Sequence, residues 1–241
     1  MALLELAGVR KRYGRGQLER IALRDVSFEL SHGELLAIWG RRNSGRSTLL
    51  RIAAGLEVPD HGVVSLGGRD LHARGAGELR EKVRYCRKTF LPTEGHLVID
   101  RLITAQLTRG IRVAAARLHA EEALERAGAS HCATLKPSEL RIAEAVLVGI
   151  ARSLVHQPEL LVIDEPMLGV EERDRDQILS VLRALAGEGV SVLMSVGDIG
   201  CLAGADRALS LAGGELHGEL QPTELAPVIQ LHTAISQTAS A

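Results

Sequence analysis

The sequence predicts an α/β protein built on a parallel sheet, and three observations predict it. An apolar run, Glu34-Leu35-Leu36-Ala37-Ile38-Trp39, enters a loop bounded by Gly40 and Gly45, and a helix-like run from Thr48 to Gly55 leaves it. A second apolar run, Leu160-Leu161-Val162-Ile163, ends in the acids Asp164-Glu165, as a central parallel strand does at its ligand-facing end. Between these runs, residues 99–109, 113–127 and 139–154 carry helical spacing and suggest a helical insertion.

The remaining elements follow in order. Residues 3–11 alternate loosely and read as a strand, Gly14-Arg15-Gly16 as a turn, and Ile21 to Leu30 as a second strand. Ser31-His32-Gly33 turns the chain into the strand before the glycine-bounded loop. Pro59-Asp60-His61-Gly62 is a turn before short strands around Val63–Leu66 and Arg69–Leu71. Residues 73–81 are broken by glycines, Val83-Arg84-Tyr85-Cys86 reads as a buried strand, and Arg87 to Leu97 as a loop. Glu171 to Ala186 is an amphipathic helix stopped by Gly187 and Gly189. Val190 to Val196 is another buried strand. Ala208-Leu209-Ser210-Leu211 and Glu215-Leu216 flank Gly213-Gly214 as a hairpin.

The chemistry starts at Gly40-Arg41-Arg42-Asn43-Ser44-Gly45-Arg46-Ser47-Thr48. A phosphate-binding loop reads Gly, four residues, Gly, Lys, then Ser or Thr, and only the lysine is replaced, by Arg46. Gly40 and Gly45 let the backbone wrap so that successive N–H groups point at phosphate oxygens, and the following helix adds the positive end of its dipole. Ser47 is placed to give its hydroxyl to Mg²⁺. Taken alone, the pattern also describes an ordinary strand–turn–helix. Asp164-Glu165 weighs for the chemical reading over a solvated acidic turn: Asp164 can hold Mg²⁺ and Glu165 can polarise an attacking water.

Composition narrows the partners. The formal net charge is −1, so no global field favours nucleic acid or an anionic membrane, and 2% aromatics leaves little for base stacking. Cys86, Cys132 and Cys201 are far apart and form no Cys-x-x-Cys pair, which suits a reducing cytoplasm and suggests no metal site. The first residues carry an acid early and no basic leader, so no signal peptide is expected. No uncharged apolar stretch approaches the roughly 20 residues that cross a bilayer.

On these residues the chain resembles the ATP-binding subunits of ABC transporters. Residues 151–166, Ala151-Arg152-Ser153-Leu154 through Leu160-Leu161-Val162-Ile163-Asp164-Glu165-Pro166, resemble that family's stretch from the end of its signature helix through its second nucleotide motif. Glu34 to Leu71, with Gly55-Leu56 and Pro59-Asp60-His61-Gly62, resembles its phosphate-loop region. Tyr13, ahead of Ala22-Leu23-Arg24-Asp25-Val26-Ser27-Phe28, matches the aromatic that stacks on adenine, and Ala205-Asp206-Arg207 before Gly213-Gly214-Glu215-Leu216 matches the closing hairpin. The resemblance runs from about residue 3 to residue 220. It implies a phosphate-loop NTPase core of the ABC-ATPase type with an antiparallel β subdomain and an α-helical subdomain at about 97–155. Residues 1–220 would form a single ATP-binding domain and 221–241 a C-terminal tail.

Five positions depart from the family's pattern. Arg46 replaces the lysine, and a planar guanidinium does not fit between phosphates as a compact ammonium does. The signature Leu-Ser-Gly-Gly-Gln falls at Leu140-Arg141-Ile142-Ala143-Glu144, so its serine and glycines are missing. The glutamine expected after Val83–Cys86 is absent, with Lys88 near its place. The switch histidine after Val192-Leu193-Met194-Ser195-Val196 is Gly197. The aspartate of the dimer-contact loop aligns with Glu171.

The resemblance then implies an ATP-binding subunit that takes ATP and Mg²⁺ between its phosphate loop and a partner chain's signature, and drives a separate transmembrane permease subunit. Tyr13, Gly40 to Thr48 and Asp164 would bind the nucleotide, Ser47 and Asp164 the metal, and Glu165 would be the catalytic carboxylate. The departures point to weak or partner-dependent hydrolysis, in a homodimer or a heterodimer with another ATP-binding subunit. The expected place is cytoplasmic, peripheral on the inner face of the cell membrane through the permease, with no nucleic acid bound. The alternative is a catalytically inactive interaction or regulatory subunit that keeps the fold.

Overall fold

The structure, a computed structural model, describes residues 2–86 and 96–220. The α/β architecture forms as expected, from two sheets and six α-helices among the described residues. Strands β1 (Ala2–Tyr13), β2 (Arg20–Ser31), β4 (His61–Leu66) and β5 (Arg69–Asp70) make an antiparallel sheet in the order β2-β1-β4-β5. Strands β3 (Leu35–Trp39), β6 (Val83–Cys86), β7 (Leu160–Asp164), β8 (Ser191–Val196), β9 (Arg207–Ala212) and β10 (Glu215–Leu220) make the second, ordered β10-β9-β3-β8-β7-β6. There β9, β3, β8, β7 and β6 run parallel, and β10 closes one edge as an antiparallel hairpin with β9.

The central strands are apolar throughout because both faces are covered. Leu36 and Ile38 of β3 join Leu160, Val162 and Leu193 in a core shared with the antiparallel sheet and helix α1 (Arg46–Ala53). Leu35 and Ala37, one residue out of phase, face the opposite core. That core is filled from α3 (Val98–Leu107), α4 (Val113–Arg126), α5 (Ile142–Leu154) and α6 (Glu172–Gly187). The period of two along each strand therefore sorts side chains between two cores.

Three segments differ from the sequence reading. A short helix, α2, occupies Gly77–Glu81 inside the glycine-broken stretch. Strand β4 begins at His61 rather than after Gly62. A Cβ on Gly62 would lie 2.5 Å from the carbonyl oxygens of Ala7 and Gly8, so this glycine lets β4 close on β1. Helix α5 begins at Ile142, not at residue 139, because Pro137–Glu139 form a 3₁₀ turn and Leu140 and Arg141 are extended. The loop expected from Arg87, the candidate Lys88 and the tail after Gln221 lie outside the described residues.

Candidate functional site

The site lies where β3, β7 and β8 end, the side of a parallel sheet on which loops and helix N-termini gather. Trp39 hands the chain to the glycine-bounded loop, and Gly45 starts α1 at φ +108°. No side chain caps that helix, so its first-turn N–H groups lack intrahelical acceptors and face the loop's concavity. Both loop glycines are required by space. A Cβ on Gly40 would lie 2.3 Å from the Leu211 carbonyl oxygen, and one on Gly45 2.4 Å from that of Ala22. The β9–β10 hairpin clamps the loop, with the Gly214 N–H donating to the Ser44 carbonyl at 3.0 Å.

Across from the loop, β7 delivers the two acids. Ser195 on β8, fully buried, donates its hydroxyl to Asp164 Oδ1 at 2.6 Å and accepts the Glu165 N–H at 3.0 Å. The Tyr85 phenol donates to Asp164 Oδ2 at 3.2 Å. Both oxygens of Asp164 are thereby oriented by hydroxyls. Glu165 stands at φ +49°, in the left-handed region, a conformation that costs a non-glycine residue roughly 1–3 kcal/mol and that concentrates at functional sites.

A cavity of about 380 Å³ opens between these parts, lined by Arg20, Arg42 to Thr48, Asp164, Glu165 and Leu168. Ser47 and Asp164 thus share one wall system with the loop. Arg46 is nearly buried, and its Nη2 lies 2.5 Å from Glu165 Oε1. Its Nη1 is buried without a hydrogen-bond acceptor among the described residues. Arg46 and Glu165 also line a second cavity of about 430 Å³, together with Arg175, Gly197, Asp198 and Cys201.

The other residues singled out in the sequence are placed as follows. Gly40 and Arg41 form the loop's base and shoulder and do not line the cavity. The Tyr13 ring, over a third exposed, stands beside α1. Its hydroxyl meets Thr48 Oγ1 at 3.2 Å, receives Arg51 Nη2 at 3.1 Å and donates to Glu57. Leu140 and Arg141 lead into α5, and Glu144 folds back onto that helix's N-terminus. Glu144 Oε2 accepts the Arg141 N–H at 2.8 Å, and Oε1 accepts Arg141 Nε and Nη2 at 3.0 and 2.9 Å. These bonds from Arg141 hold the buried Glu144 carboxyl below the usual carboxylate range. Gly197 follows β8 and faces the Arg46–Glu165 pair. Glu171 precedes α6 and pairs with Arg173 at 2.8 Å.

Sequence reasoning missed Arg20, Tyr85 and Ser195. Arg20 reaches the cavity because the β1–β2 register sets it opposite Tyr13. Ser195 was visible only as a polar residue inside an apolar strand, opposite Asp164 in the β7–β8 ladder.

Comparisons with known proteins bear on the family and the fold. The family model described as "ABC transporter" matches residues 23–168. The phosphonates import ATP-binding protein PhnC of Frankia casuarinae is 33% identical over 229 residues, covering 90% of this chain and 89% of that protein. The macrolide export ATP-binding/permease protein MacB 1/2 of Paracoccus denitrificans is 29% identical over 218 residues, 89% of this chain. The chain spans about a third of that relative's length. Among solved structures, cbiO1 from Clostridium perfringens, described as part of the ABC transporter complex cbiONQ, superposes with a TM-score of 0.86 at 21% identity, over 98% of this chain and 95% of that one. The dimeric ATP-binding cassette MJ0796 bound to ADP and Pi gives 0.79 at 24% identity, over 91% and 98%. At such identities these two show the fold: an ABC-ATPase α/β core with an antiparallel β subdomain. No helix among the described residues is long and apolar enough to cross a membrane. With a family model over more than half its length and a relative at 33% identity matched nearly throughout, the chain belongs to the ABC transporter family, as one of its ATP-binding cassettes.

Proposed function

We propose that this cassette binds Mg-ATP at its phosphate loop, works as a dimer beneath a separate membrane permease subunit, and hydrolyses ATP weakly or only with a partner's help. The observation that carries the reading is the cavity shared by the uncapped α1 N-terminus, Ser47 and the braced Asp164. Uncapped N–H groups attract phosphate oxygens, and the Ser47 hydroxyl and Asp164 carboxylate are the hard oxygen donors that Mg²⁺ prefers. Bound there, Mg²⁺ would neutralise phosphate charge. Arg20, Arg42 and Arg46 add cations to the same wall. Tyr13 would carry the adenine on its exposed ring face, and Glu165 would orient and deprotonate the attacking water. Residues from about 97 to 155 would act as a helical subdomain of a single domain spanning 1–220, with 221–241 a tail outside it.

Slow turnover follows from what surrounds Glu165 and α5. Glu165 is held by Arg46, and no side chain at residue 197 can orient it. At α5, where the family presents donors to a partner's nucleotide, this chain places the Glu144 carboxylate. Losing one preorganised donor costs about 10²–10³ in rate. A partner with an ordinary signature would restore donors to this chain's loop, so a mixed dimer is expected to be the faster one. Peripheral attachment at the inner membrane face, through the permease, goes with this role. The two named relatives transport different compounds in opposite directions, so the transported compound is left open.

The Glu144 arrangement also favours a second reading, an inactive interaction subunit that keeps the fold as a platform. Calorimetry with Mg-ATP separates the two. Binding, with a rise in melting temperature at saturating nucleotide, supports the first. No heat and no shift at millimolar Mg-ATP refute it and leave the second. Arg46→Lys is expected to tighten binding and Arg46→Ala to weaken it by a factor of roughly 10 or more, one charge-assisted contact. Equal affinity in all three would remove Arg46 from the phosphate site.

A further inference from the structure

Residue 197 is a glycine, yet its backbone is not in the left-handed region, so the missing side chain is not demanded by φ. The space beside Gly197 is taken by the Arg46–Glu165 pair. A Cβ on Gly197 would lie 3.5 Å from Arg46 Nη1, 3.6 Å from Nη2 and 3.8 Å from Glu165 Oε1. Those are ordinary contacts, so one carbon fits directly against the guanidinium and the carboxylate. The guanidinium is nearly buried, and the pair it forms with Glu165 lines both cavities.

We infer that Arg46 and Gly197 act as one matched unit in which Arg46, lying in the space beside the side-chain-free residue 197, is the positioning residue for Glu165. The inference rests on the reading of Glu165 as the carboxylate that acts on water. Two departures that look like separate losses in the sequence are then coupled. A long side chain at 197 then competes with Arg46 for the space beside Glu165. A lysine at 46, with one terminal nitrogen and no planar fork, leaves room for it.

The test is a cycle of four full-length proteins: wild type, Arg46→Lys, Gly197→His and the double variant. Nucleotide-free melting and the kcat and KM for Mg-ATP are measured on each. Gly197→His is expected to lower the melting temperature and to cut kcat roughly tenfold when residue 46 is arginine, with KM changed less than about twofold. With lysine at 46 the same substitution is expected to raise kcat, reversing the sign. If Gly197→His does not fold beside Arg46, Gly197→Ser in both backgrounds carries the same cycle. Additive melting shifts, equal kcat effects in both backgrounds, or a change confined to KM would each overturn the inference. Failure of wild type to bind Mg-ATP would overturn the functional reading beneath it. Additive melting with Mg-ATP binding intact would overturn the coupling alone.

Discussion

Two helix N-termini in this molecule are built in opposite ways. Helix α1 opens on Gly45, receives no side-chain cap, and is followed at once by the buried cation Arg46. Helix α5 opens on Arg141 and is closed by its own buried carboxylate, Glu144, which accepts the Arg141 backbone N–H and the Nε and Nη2 of its guanidinium. A helix N-terminus attracts negative charge, and here one end is presented to a cavity while the other is neutralised from within. In an ATP-binding cassette these two ends serve the two sides of a shared nucleotide. On the proposed reading, this chain keeps the half that would hold phosphate and changes the half that would reach across to a partner.

The largest expected effect is at the uncapped end. Gly45→Ala adds a Cβ 2.4 Å from the Ala22 carbonyl oxygen at a left-handed φ, and is expected to cost about 3 kcal/mol or more. The melting temperature should fall by roughly 6–12 °C, and the shift with Mg-ATP should vanish. Gly67→Ala isolates the backbone term, since Gly67 also has positive φ but nothing within 4 Å, and should cost only about 1 kcal/mol. Equal losses would show that the loop's packing is ordinary. Next comes Glu165→Ala, which leaves the buried Arg46 without its carboxylate. The loss should be about 2 kcal/mol in nucleotide-free melting, below the 3–5 kcal/mol typical of fully buried pairs, because the Glu165 side chain keeps 26% exposure. At the closed end, Glu144→Ala removes a cap and should cost about 1–2 kcal/mol without changing Mg-ATP affinity of the isolated chain.

How much of this contrast was legible beforehand depends on how far apart in sequence its parts lie. The phosphate loop, β7 with its terminal acids, and the strand and hairpin glycines announce themselves through local spacing. The start of α5 did not. Its apolar periodicity runs back to residue 139, but Pro137 begins a 3₁₀ turn and Glu144 caps from inside the helix, so Leu140 and Arg141 stay extended. Tyr85, Ser195 and Arg20 come to the site through strand register, which no single segment encodes. The direction of Arg46 is legible least of all, because it depends on what is absent at residue 197.

Acid titration sharpens the contrast along α5, whose two ends respond in different windows. His156, just past the helix, is half-buried, and its Nδ1 accepts from Arg109 Nη1 at 2.8 Å. Burial first, then the cations of Arg84 and Arg109, lower its pKa from 6.5 to about 4. Between those values the unfolded chain binds more protons, so this contribution is complete above about pH 6.5 and lost on descending to about pH 4. With solvent screening it should amount to on the order of 1 kcal/mol, and His156→Gln should flatten that part of the melting-versus-pH curve. The Glu144 contribution has the opposite origin. Its lowered pKa keeps the carboxylate charged and capping through that window, and the cap is lost only as the pH falls below the ordinary carboxylate value of 4.5. Glu144→Ala should therefore lower the curve above that value and remove the extra drop that wild type shows below it.

On the proposed reading the phosphate-holding half is competent while the isolated chain turns ATP over slowly. Phosphate release by the purified chain at saturating Mg-ATP, beside Glu165→Gln, tests it most directly. Release far below the roughly 10 s⁻¹ of a typical enzyme is expected, with what remains lost in Glu165→Gln. Brisk release by the isolated wild-type chain, and above all release that survives Glu165→Gln, would contradict it.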